Sequence, residues 1–155
     1  MASKTRSSLR LVNRVLDLIM DWQSIDRTLA KEFLQDQYLS SDSERTIDEI
    51  VDHFSLIWLA VCREVADRTG ISTDWFEIVV QPSVCDSSVS VVLLKPSALA
   101  RREDPIVLLY DSYADWKFYW HSQEEMEHFL ESVANRWIQK LQKAGVTADN
   151  VGVGA

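Results

Sequence analysis

The stretch from Ser122 to Val146 constrains the chain most, because it carries a helix start, a helix stripe and a helix stop in register. Ser122 followed by Glu125 fits an S-x-x-E capping box, in which the hydroxyl takes a first-turn amide and the carboxylate reaches back. Met126, Phe129, Leu130, Val133, Trp137, Ile138 and Leu141 recur at helical spacing and form one apolar stripe. Glu124, Glu125 and Glu127 precede Arg136, Lys140 and Lys143, the order that the helix dipole favours. Gly145 can take the left-handed conformation after the last turn and bring Val146 back to Leu141. Together these signals predict a helix over 122–144.

A second helix is expected after the loop Ser40-Ser41-Asp42-Ser43. Thr46 and Glu49 offer another capping box, and Ile47, Ile50, Val51, Phe54, Ile57, Trp58, Val61 and Val65 give a wide stripe. Gly70 is placed as its stop, with Ile71 after it. Nearer the N-terminus, Leu9, Val12, Leu16 and Ile19 predict a helix from about Ser8 to Trp22. Ile25, Leu29 and Phe33 carry a spacing of four on to about Tyr38.

Beyond Gly70 the period falls to two. Trp75 to Gln81 and Ser88 to Lys95 alternate as strands, with Pro82 to Ser87 as the turn between them. Residues 105–110 and 116–120 add two more strands around a turn from Asp111 to Asp115. Short connections favour an antiparallel meander. The expected fold is therefore α+β: N-terminal helices, a four-stranded antiparallel meander, and a long C-terminal helix packed on the sheet. Residues 1–146 are expected to form one domain with residues 1–7 flexible, and residues 147–155 a flexible tail.

The formal net charge is −8. Residues 1–16 hold Lys4, Arg6, Arg10 and Arg14 and no acid, so taking this +4 from −8 leaves −12 on the remainder. A body this acidic repels phosphates, so no nucleic-acid partner is expected for the main domain. No run is long and apolar enough to predict a membrane partner. The basic N-terminus read alone resembles an organelle-targeting segment, but its apolar spacing continues into Met20 and Trp22 without a cleavage signal. Cys62 and Cys85 make neither a disulfide framework nor a zinc cluster, which points to a reduced, cytoplasmic protein.

Catalytic and cofactor signals are weak. Neither G-x-G-x-x-G nor G-x-x-x-x-G-K-[ST] can be written with these glycines, and no cofactor is expected. His121, Glu125 and His128 share a helical face, but capping and solvation account for all three, so no metal site is expected. Asp111, Tyr113 and Asp115 are ordinary turn residues. Cys85 stands beside Asp86, which raises a thiol pKa and disfavours a nucleophile. No catalytic residue is assigned.

The sequence therefore favours a soluble, non-catalytic protein–protein interaction module: a small acidic adaptor, chaperone-like or inhibitor protein. Its partner would be another protein, with a second copy of the chain as one candidate. The expected partner surface is the second sheet face, through Glu77, Val79, Val92, Leu94, Lys117 and Tyr119. The alternative is a small-molecule-binding domain or small enzyme, with a pocket between sheet and helices formed by Tyr113, His121 and Asp111 or Asp115.

Overall fold

Apolar periodicity and end signals build four α-helices among the residues described by the computed structural model, which are 9–39, 47–82, 87–93, 106–112 and 120–148. Helix α1 is Arg10–Gln23, α2 is Arg27–Tyr38, α3 is Ile47–Thr69 and α4 is Gln123–Lys143. Strands β1 (Phe76–Pro82), β2 (Ser87–Leu93) and β3 (Ile106–Ser112) complete the regular structure, with a short 3-10 turn at Thr73–Trp75. Contacts divide the chain into two compact units: Met1–Ala60 with Lys117–Ser132, and Val61–Trp116 with Val133–Ala155.

The expected α+β meander of four strands is not what forms. The described residues are mainly helical, and strand pairing is confined to three seven-residue segments in the order β1-β2-β3. The run 116–120 alternates like a strand, but residues 113–119 lie outside the described residues. Trp120, at its end, is not in a strand. Its backbone N–H donates to the Tyr38 carbonyl at 2.7 Å, and its ring lies 5.4 Å from that of Phe129. The end of α2 thus supplies the acceptor that a neighbouring strand would have offered.

The strand boundaries differ from the expectation in one informative place. β1 and β2 pair antiparallel from Phe76↔Leu93 to Pro82↔Ser87. β2 and β3 pair from Ser88↔Ser112 to Leu93↔Ile106, with a shift between Val91↔Leu109 and Val92↔Val107. Leu108 is therefore the extra residue of a bulge, the device by which a strand re-aims one side chain. Leu108 is buried. β3 also runs through Asp111 and Ser112, so the turn expected from Asp111 does not begin there.

In the unit containing the N-terminus, Leu11, Val12, Val15, Leu16, Leu18 and Ile19 bury one side of α1. Leu9 supplies no side-chain cap for this helix. The acceptor comes instead from α4: the Val12 N–H donates to Glu127 Oε1 at 2.8 Å, and Glu127 is buried. At the other end of α1, Ser24 takes the left-handed conformation at φ 54° and stops the helix. Asp26 then caps α2 by accepting from the Leu29 N–H at 2.9 Å. This restart sets the phase of α2. Ala30, Leu34 and Tyr38 are buried, while Leu29 of the expected Ile25–Leu29–Phe33 stripe is exposed.

The stops of α3 and α4 fall where glycine permits a positive φ. Gly70 has φ 78° and its N–H donates to the Ala66 carbonyl at 2.8 Å, with Ile71 buried beyond it. Gly145 has φ 71°; the Val146 N–H reaches the Leu141 carbonyl at 2.9 Å and the Gly145 N–H reaches Gln142 at 3.0 Å. That pair of bonds is a Schellman motif. In the second unit, buried Glu64 accepts from Arg68 Nε at 2.7 Å, and Arg68 Nη1 donates to Asn135 Oδ1 at 2.9 Å. An i,i+4 pair on α3 is thereby tied to α4.

Burial along α4 makes a direct comparison. Trp137→Ala should destabilise the protein by about 3–5 kcal/mol, because a buried ring leaves a large cavity. His128→Ala, at an exposed position on the same helix, should change stability by less than about 0.5 kcal/mol. Urea unfolding of both variants measures this, and equal losses would contradict the observed helix face.

Candidate interaction surfaces

The expected sheet surface is only partly among the described residues. Glu77 is exposed on β1 and pairs directly with Val92 of β2, and Val79 follows two residues along β1 opposite Ser90. The backbone therefore brings Glu77, Val79 and Val92 into one block. Leu94, Lys117 and Tyr119 lie outside the described residues, as do Tyr113 and Asp115 of the alternative pocket. Asp111 is in β3 opposite Val89. His121 is exposed just before α4.

The capping box at α4 forms with one variation. Ser122 Oγ accepts from the Glu125 N–H at 3.1 Å, and the Glu125 carboxylate accepts from the His121 N–H at 3.4 Å. Glu125 thus serves the residue before the cap. His128 is exposed, and among the described residues no group of three potential metal ligands comes together.

Two other surfaces stand out, and the sequence reading missed both. The first is the α1–α2 hairpin. Trp22 is 42% exposed and Leu29 is 48% exposed. The rings of Trp22 and Phe33 meet edge to face at 5.9 Å and 87°. Leu29 and Phe33 are one turn apart, and Glu32 and Asp36 follow each of them by three residues on the same side of α2. The result is an apolar patch with an acidic margin. Arg27 bridges the hairpin by donating to Asn13 Oδ1 at 2.7 Å, with Asp17 Oδ1 at 3.7 Å. The signal for this surface was Asp26: read as a cap, it would have placed Leu29 and Phe33 off the buried face.

The second surface is a hollow of about 360 Å³ lined by Leu108, Arg136, Trp137, Gln139, Lys140 and Lys143. Leu108 and Trp137 are buried, so the apolar floor is nearly closed and the cationic side chains form the walls. A shallower hollow of about 430 Å³ is lined by Lys31, Glu32, Gln35, Asp36 and Gln123. His121 lines neither.

No protein-family model, curated protein or solved structure matches the chain. Among the described residues, no helix is long and apolar enough to cross a membrane.

Cys62 is buried in α3, and burial pushes its thiol from 9.0 up to about 12. Its neutral form is therefore favoured by folding. This contribution is complete below pH 9 and is lost as pH rises towards 12. Native protein at pH 8 should leave Cys62 unalkylated by iodoacetamide, and unfolding in urea should expose it. Peptide mass mapping follows the site, and rapid native labelling of Cys62 would contradict its placement.

Proposed function

We propose that this chain is a non-catalytic protein–protein interaction module, a small acidic adaptor-like protein acting in the reducing cytoplasm. The observation that carries the reading is the exposure of Trp22 and Leu29 beside Phe33, on helices whose opposite faces are fully buried. Isolated exposed apolar residues are commonplace, but a tryptophan, a leucine and a phenylalanine grouped on one hairpin form the kind of anchor that partners use. The acidic margin selects against acidic partners and speeds encounter with basic ones. Glu77, Val79, Val92, Leu94, Lys117 and Tyr119 are a second proposed set of contact residues, argued from the sequence pattern alone.

Leu29→Lys tests the reading, because it replaces the most exposed large apolar side chain among the described residues with a helix-compatible charge. Its unfolding midpoint should correspond to a change of less than about 0.5 kcal/mol. A protein recovered in stoichiometric amount from native lysate with the natural chain should be lost with Leu29→Lys. Equal recovery by both, or recovery by neither, would overturn the assignment of this surface.

A further inference from the structure

We infer that the chain recognises a second copy of itself head to tail, with the acidic apolar face of α2 in one copy seated on the basic hollow of α4 in the next. The inference rests on the interaction-module reading and adds a second copy of the chain to its partners. The hollow is the local exception in an acidic protein. Residues 133–148 contain Arg136, Lys140 and Lys143 and no acid, against a net charge of −8 for the chain. Lys140 and Lys143, in the last turn, also suit the helix dipole. The dipole does not explain Arg136 one turn earlier, nor the hollow of about 360 Å³ that all three cations border. Among the described residues none of the three takes part in an ion pair.

The complementary surface is on the same chain. Residues 17–38 hold five acids and two bases. On α2, Glu32 and Asp36 are one turn apart, about 6 Å along the axis, which matches the separation of Arg136 and Lys140. Leu29 lies on the same side of α2 as these carboxylates, and Trp22 of α1 is also exposed. Two helices can therefore lie side by side with their charges in register and Leu29 of α2 set against the hollow. Each copy offers both surfaces, and they differ, so the contact is heterologous and does not by itself fix a subunit number. A contact built from exposed ion pairs and a small apolar patch is weak and sensitive to salt.

Sedimentation equilibrium of the full chain, from micromolar to millimolar concentration and in low and molar salt, tests this with two neutralised variants. One is Glu32→Gln with Asp36→Asn; the other is Arg136→Gln with Lys140→Gln. Circular dichroism checks that both fold. The natural chain should gain mass with concentration and lose it in molar salt. Each variant alone should associate about tenfold more weakly or worse. Their equimolar mixture should regain association, limited to pairs, because only one natural contact can form between the two variants. A natural chain that stays at monomer mass, or a mixture no heavier than its components, would overturn the inference. If self-association fails while the Leu29-dependent lysate partner persists, the self-recognition falls and the interaction reading stands; if both fail, the reading falls too.

Discussion

The bond from the Val12 N–H to the Glu127 carboxylate joins residues 115 apart in sequence and anchors α1 to α4 within one compact unit. Helix α1 begins without a side-chain cap of its own, so its first-turn amides need acceptors from elsewhere. Glu127 is buried, which makes its hydrogen bonds obligatory. A buried carboxylate without partners is strongly disfavoured, and a buried amide left without an acceptor costs about 1–3 kcal/mol. Once α1 is held there, Leu11, Val12, Val15 and Leu16 are buried, and the hairpin into α2 is carried with it.

The second unit uses the same kind of device. Glu64 is buried on α3, and its ion pair with Arg68 is extended to Asn135 on α4. In both units a buried acid fixes one helix relative to another, while the apolar stripes supply the bulk of the burial. This division explains why the surfaces proposed for recognition can carry so much charge. The acids that set the packing are inside, and Glu32, Asp36, Arg136, Lys140 and Lys143 are on exposed positions where they can serve contacts with other molecules.

What was legible in the sequence was local. The stops at Gly70 and Gly145 and the cap at Ser122 depend on residues within a few positions of one another, and each formed where the pattern placed it. The spacing of four did not fix the phase of α2, because Leu29 and Phe33 repeat at the same interval as Ala30, Leu34 and Tyr38. Only the break at Ser24 and the cap at Asp26 distinguish the two stripes. The four-stranded meander was misjudged because period-two alternation in 116–120 does not reveal that the Trp120 amide finds its acceptor at the end of a helix. Glu127 looked like a dipole charge, since its partner is far away in sequence. The basic hollow was invisible for a related reason: Leu108 reaches it through a bulge in β3 that alternation cannot predict.

Hydrogen exchange at the Val12 amide tests the central claim most directly. In the natural chain and in Glu127→Gln, which keeps an acceptor oxygen, this amide should be protected. In Glu127→Ala it should exchange faster by about tenfold or more, even when compared at matched global stability. Unchanged protection of Val12 in Glu127→Ala would show that α1 is not anchored by this carboxylate, and would contradict the account.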